Sequence, residues 1–161
     1  MLLVFGISKK EILDHVYPSD RLFLAYIDGS IVGFATATLR DQYLDFTGAA
    51  VKEDFQGLGI HSSFTQRRLN FALDNDFCCI ELRTQNPKIE LSVRQNLESL
   101  VKIGIIDEFS ISRELVKSLY GRMLTAIKPF SGVEEIDVLY ENLDYESGDA
   151  YRMKFKMEVR K

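Results

Sequence analysis

The sequence has little of several things that would point to particular chemistries. Its 161 residues include two cysteines, Cys78 and Cys79, side by side. Adjacent cysteines rarely bridge, because the backbone must distort to join them. Two cysteines alone cannot build a thiolate metal site, so no metal is expected. They read as small buried residues of a reduced, intracellular protein. No apolar stretch approaches the roughly 20 residues of a membrane span. The apolar run at residues 1–5 is too short for a signal-peptide core and has no basic segment before it. The expectation is a cytoplasmic protein with no membrane partner. A basic excess is missing too. The net charge of −4 argues against nucleic acid, whose phosphates need a basic surface. It is compatible with a cationic or amine substrate, and equally with charge carried for solubility.

What is present is an ordinary globular composition, 46% apolar and 27% charged. The length suits a single domain, residues 1–161. There are no repeats. Residues 2–5 suggest a short strand. Ser8 can cap a helix carrying Ile12, Leu13 and Val16, which Pro18 ends; His15 lies on it and reads as a surface residue. Residues 21–27 and 31–39 read as a hairpin about Asp28-Gly29, a strong turn signal. Residues 43–51 read as a third strand. A helix from about 59 to 75 has a broad apolar face of Ile60, Phe64, Leu69, Phe71, Ala72 and Leu73.

Residues 78–84 follow as a strand, broken at Asn86-Pro87, and a helix from about 89 to 103 stops at Gly104. Ser112 then reads as the cap of a helix carrying Leu115, Val116, Leu119, Met123, Leu124 and Ile127, ended by Pro129. Residues 133–143 and 150–159 read as two strands. The second alternates Tyr151, Met153, Phe155, Met157 and Val159 with charged residues. This order is α+β with a mixed, mostly antiparallel sheet flanked by helices.

The stretch with chemical content is Gln56-Gly57-Leu58-Gly59-Ile60-His61, between a strand and a helix. Two glycines let the backbone turn tightly and expose successive N–H groups. The helix behind adds unpaired N–H groups and a positive dipole end. Ser62 and Ser63 add hydroxyls. Together these make a nest for a pyrophosphate. The Lys-Ser/Thr ending of a nucleoside-triphosphate loop is lacking, as is three-glycine dinucleotide spacing. An ordinary tight connection is the competing reading.

The stretch resembles the signature of the GNAT N-acetyltransferase superfamily through Gln56, Gly57, Gly59 and Ile60, with Val51 and Phe55 before them. The resemblance runs over about residues 21–105. It takes in the meander, Asn86-Pro87 and the end Lys102-Ile103-Gly104-Ile105. It implies a splayed sheet of the GNAT type, with acetyl-CoA as co-substrate. The backbone near Val51 would align the pantetheine arm. The N–H groups of Gln56, Gly57, Leu58, Gly59, Ile60, His61 and Ser62 would hold the pyrophosphate. Asn86 would reach the pantetheine amides, unless it is only a turn former before Pro87.

Three departures stand out. His61 occupies the family's final small residue. Leu100 stands where many members carry a Tyr general acid. The region before the first hairpin is short, which would leave the acceptor site open unless the helix expected near 113–127 walls it.

Acetyl transfer to an amine needs the nucleophile neutral. Asp45 is the candidate base, working through water; otherwise it is a polar residue on a wet strand face. Tyr120 and Tyr140 are candidate acids for the leaving thiolate; otherwise they are core-edge tyrosines. Glu53 reads as a solvated charge. The resemblance implies an acetyltransferase acting on an amine of a small molecule, peptide or protein by direct attack. The alternative is a CoA-binding regulatory or interaction module without turnover. Exposed strand edges near the end of the chain could pair in a homodimer.

Overall fold

The computed structural model describes residues 3–4, 7–124 and 128–161, without the side chains at 3, 4, 7–9, 11, 12 and 15. The capping by Ser8, the Ile12 contact, the surface position of the His15 ring and the placement of Ile127 therefore lie outside the described residues. The chain divides into two compact units, Met1–Ile80 and Glu81–Lys161.

The first unit opens with a small antiparallel pair, β1 (Leu3–Val4) and β2 (Ile7–Ser8), followed by α1 (Lys9–Val16). Then comes the expected meander of β3 (Arg21–Ile27), β4 (Ser30–Leu39) and β5 (Leu44–Val51). Asp28 and Gly29 have φ of 50° and 78°, the positive angles that a type I′ turn requires. A helix, α2 (Ile60–Asp74), packs on one face of these strands.

The β4–β5 pairing is irregular, and the irregularity has a consequence. Thr36 pairs with Gly48, but Thr38 pairs with Asp45. Phe46 and Thr47 therefore share the place opposite Ala37, which is a β-bulge in β5. Side chains alternate along a strand, so an extra residue reverses which face the rest present. Val51 packs with Ala35 and Phe64 on the α2 side, and Ala49 lies against them. Thr36 points to the other side, and its hydroxyl is 2.7 Å from that of Thr47. Thr47 has thus left the face of Ala49, and the following alternation places Asp45 on the threonine side.

The second unit contains most of β6 (Cys79–Thr84), α3 (Pro87–Lys102), β7 (Ile106–Val116), α4 (Glu134–Glu141) and β8 (Ala150–Val159). β8 lies between β6 and β7, and pairs with β7 antiparallel from Ile106↔Val159 to Val116↔Ala150. The α+β class with mostly antiparallel strands and flanking helices agrees with the sequence.

Two elements differ from the sequence reading. Residues 112–116 are strand, the end of β7, and not the start of a helix over 112–127. Residues 117–124 are turns and irregular chain. In β7, half-buried Phe109, Ile111 and Arg113 alternate with exposed Ser110, Ser112 and Glu114. That period-two pattern starts before the apolar cluster that suggested a helix. Conversely, residues 134–141 are helix, not strand. Ile136 and Tyr140 are its buried residues, four apart on one helix face. Glu134, Glu135 and Asp137 fill the first turn, where the helix dipole favours acids. The Asp137 carboxylate also accepts from the N–H groups of Ser131 (2.6 Å) and Gly132 (3.1 Å). Cys78 is a smaller correction: it is exposed and Cys79 half-buried, because β6 begins only after the turn at Asp76, where φ is 63°.

Residues 117–124 and 128–149, between β7 and β8, are held by buried polar groups. Gln85 Nε2 donates to the carbonyls of Tyr145 (3.2 Å) and Asp149 (3.0 Å), and its Oε1 accepts from Leu124 N–H (3.0 Å). The Asp149 carboxylate accepts from Ser118 N–H at 2.9 Å and from Lys117 Nζ at 3.2 Å. Gly148 must lack a side chain, since a Cβ there would lie 2.6 Å from Arg122 N. On α3, Glu90 is 0% exposed. It accepts two 2.7 Å bonds from Arg113, pairs with Arg94 at 2.7 Å, and accepts from Tyr140 Oη at 3.2 Å. Glu90→Gln removes the charge that both arginines answer. It should cost about 3 kcal/mol of unfolding free energy in urea, the range for a broken buried pair. A loss under about 1 kcal/mol would mean that solvent already screens the cluster.

Candidate active site

β5 ends at Val51, and the chain passes through a 3-10 turn at Glu53–Phe55 before the glycines. Gln56 fastens this connection. Its Nε2 donates to Val51 C=O at 3.0 Å, and its N–H to Glu53 C=O at 3.2 Å. The Gln56 amide is therefore engaged within the loop, and the exposed run of N–H groups begins at Gly57. Gly57 and Gly59 both have φ of +82°, a conformation L side chains resist. A Cβ at either would meet nothing within 4 Å, so the constraint is backbone twist and the space above is open.

Gly59 caps α2 without any side-chain cap, and the first intrahelical bond runs from Ser63 N–H to Gly59 C=O at 3.0 Å. The amides of Ile60 and His61 precede that ladder. No acid lies in the first turn of α2. Two left-handed glycines, uncapped amides and a helix dipole free of carboxylates fit an anionic phosphate. Leu58 is exposed and Ile60 and His61 half-buried. Burial, reinforced by the Arg68 charge, pulls the His61 imidazole down to about 4. The ring is neutral at physiological pH and adds no positive charge to the nest.

Near the start of β5, Asp45 is 1% exposed, so it is not on a solvent-washed face. Arg40 Nη2 stands 3.5 Å from its Oδ2. Thr38 is its cross-strand partner, and Thr36 and Thr47 share its side of the strands.

In the second unit, Asn86 caps α3. Its Oδ1 accepts from Lys88 N–H at 2.9 Å, which leaves the side-chain NH₂ as its outward donor. Tyr120 is half-buried on the irregular chain after β7, with its N–H on Gly148 C=O at 3.1 Å. Burial pushes its phenol up to about 12, against the lowering effect of Arg83. Tyr140 is 1% exposed inside α4, and burial together with its bond to Glu90 raises its phenol far above the usual range. Among the described residues, no group of three or more His, Cys, Asp or Glu could hold a metal ion. No described helix is long and apolar enough to cross a membrane.

The family model for the acetyltransferase (GNAT) family matches residues 5–91, more than half the chain. The chain belongs to the GNAT acetyltransferase family. Solved structures share its fold. An IAA acetyltransferase from Bacillus cereus is 22% identical, with TM-score 0.55, over 91% of this chain and 83% of that one. The ribosomal-protein-S18-alanine N-acetyltransferase of Escherichia coli is 14% identical, with TM-score 0.58, over 96% and 80%. A Bacillus subtilis acetyltransferase in complex with CoA is 20% identical, with TM-score 0.56, over 91% and 82%. No curated protein matches the sequence.

Within this GNAT chain, Leu100 is buried on α3 at 7% exposure, so α3 offers no proton donor there. Arg68 is a further residue of interest, with a signal in the sequence. It lies four residues after Phe64 and four before Ala72, both buried on the face of α2 that meets the strands. A charged residue in register with an apolar stripe was the available signal.

The His61 shift sets a pH prediction. Its folded value, about 4, lies below the ordinary 6.5, so the unfolded chain binds more protons between these two pH values. Stability should fall as pH drops from about 6.5 to about 4, by roughly 2 kcal/mol from this group. Histidine NMR on this two-histidine chain, assigned with His15→Gln, should find His61 neutral at pH 5. A midpoint at 6 or above would refute the assignment.

Proposed function

We propose that the protein is an acetyl-CoA-dependent N-acetyltransferase, one catalytic domain made by the whole chain. The observation that carries this reading is the open, uncapped nest at Gly57–Gly59 in a chain of GNAT family and fold. The N–H groups of Gly57, Leu58, Gly59, Ile60, His61 and Ser62 hold the pyrophosphate. The end of β5 at Val51, shaped by Gln56, lies along the pantetheine arm. The Asn86 side-chain NH₂ meets a pantetheine carbonyl, a role its capping bond leaves open. Acetyl-CoA supplies the activated acetyl group.

Attack by a neutral amine nitrogen on the thioester carbonyl forms the C–N bond and breaks the C–S bond. The nitrogen's proton passes through water to Asp45, and the thiolate leaves to be protonated. Tyr120 is the better of the two tyrosine candidates for that last step. Among the described residues, no carboxylate ties its phenol as Glu90 ties that of Tyr140. Positioning supplies much of the rate in such a direct attack. The acceptor is an amine of a small molecule, peptide or protein in the cytoplasm. The competing reading, a CoA-binding module without turnover, draws on buried Leu100 and on His61 at the family's small-residue position.

Two measurements test this. Acetyl-CoA should raise the melting temperature by binding the native state. Gly59→Glu should abolish the shift, because it strains a φ of +82° and sets a negative charge beside phosphates. A folded Gly59→Glu protein with an unchanged shift would place the phosphates elsewhere. With an acceptor found by screening amines and peptides, Asp45→Asn should lower kcat by about a hundredfold and leave acetyl-CoA affinity nearly unchanged. Higher pH should partly restore the rate, since more of the amine is then neutral. Equal turnover at neutral pH would remove Asp45, and no turnover with any amine would favour the binding module.

A further inference from the structure

Arg68 is a cation in an unusual place. It is 5% exposed, and it has no carboxylate partner among the described residues. Such a side chain is destabilising unless other groups answer it. Among the described residues, its guanidinium meets the β5 bulge and the carbonyls beside it. The guanidinium lies 4.3 Å from the centre of the Phe46 ring, a cation–π distance. Its Nη1 points to Thr36 C=O at 3.4 Å and Gly48 C=O at 3.5 Å. These are the last pair in register before the ladder shifts. Its Nε is buried without an acceptor. Phe46 and Thr47 are the two residues that crowd opposite Ala37. Arg68 grips the first from the α2 side, and the Thr36 hydroxyl grips the second from the other side.

The bulge decides where Asp45 points. In a regular strand, Asp45 would share a face with Thr47, Ala49 and Val51, and would face the apolar packing of Phe64. With one extra residue it faces Thr36, Thr38 and Thr47 instead. An arginine without a carboxylate, spent on a backbone irregularity, is costly for stability alone. A methionine or leucine of similar volume would fill the same space more cheaply.

We propose that Arg68 is a positioning residue of the acyl-transfer site: by clamping the Phe46–Thr47 bulge from α2, it turns Asp45 off the apolar face and onto the threonine face where it acts as base. This rests on the reading of Asp45 as base, and the test separates the two. Its charge also reaches His61 in the nest, contributing to the neutrality of that ring. One side chain thus bears on both the nest and the base.

The experiment compares Arg68→Met, Arg68→Lys and Phe46→Leu in the full chain. Amide hydrogen exchange followed by NMR needs no acceptor. In Arg68→Met, protection at Phe46, Thr47 and Gly48 should drop at least tenfold, while Ala35 and Ala50 keep theirs. Phe46→Leu, which removes only the ring, should show a smaller drop at the same sites and stands in should Arg68→Met fail to fold. Unchanged exchange at the bulge in either folded variant would overturn the proposal.

Turnover gives the second arm as a double-mutant cycle. Arg68→Met should lower kcat at least tenfold with KM for acetyl-CoA within twofold, and Arg68→Lys should recover part of the loss. In the Arg68→Met background, Asp45→Asn should cost little more. Losses that multiply independently would show a merely structural arginine and overturn the proposal. A silent Asp45→Asn in the wild-type background would instead overturn the base reading on which it rests.

Discussion

Between Val51 and Ile60 the chain must change from strand to helix while leaving the first helical amides uncovered. A side-chain cap would satisfy one of those amides and close the space above it. Here Gly59 caps the helix with φ +82° and no side chain, and Gln56 holds the approach by its bond to Val51 C=O. The nest, the end of β5 and the placement of α2 against the strands all follow from this connection. Tightening it with an ordinary cap would give a better helix and a poorer anion site.

The two units handle buried charge in opposite ways. In the second, Glu90 is answered by two arginines and a phenol. Such a paired cluster ties α3, β7 and α4 to one arrangement. In the first, the described residues that answer Arg68 are carbonyls and an aromatic ring, and burial draws it down to about 9. It stays charged at neutral pH. A carboxylate answered by two arginines is what a structural ion cluster looks like, whereas a cation with no carboxylate among the described residues, beside a bulge, bears on where a neighbouring acid points.

Much of this was legible in the sequence, and the failures have physical causes. The meander was readable because Asp28-Gly29 demands a turn and the strands around it are β-branched and apolar. The nest was readable because glycines at a strand-to-helix junction have few other uses. β8 was readable from strict alternation. Residues 112–124 and 133–143 take a different structure from the one their pattern suggests, because each segment offers two periods. Leu115, Leu119 and Met123 mimic a helix that the chain does not form. Val133, Ile136 and Val138 look β-branched enough for a strand, but Ile136 and Tyr140 bury at helical spacing. The β5 bulge left no mark in sequence, since an extra residue in a strand is defined only by its partner's register. Arg68 did leave one, in the stripe Phe64–Arg68–Ala72, and a charge in such a stripe repays attention.

The central claim is that the amides from Gly57 to His61 receive the coenzyme's phosphates. Amide NMR during titration with CoA tests it without an acceptor and without any mutation. The account predicts saturable shifts that are largest at Gly57, Gly59, Ile60 and His61, with the same midpoint at each. Saturation elsewhere in the chain, with those four amides unmoved, would contradict it.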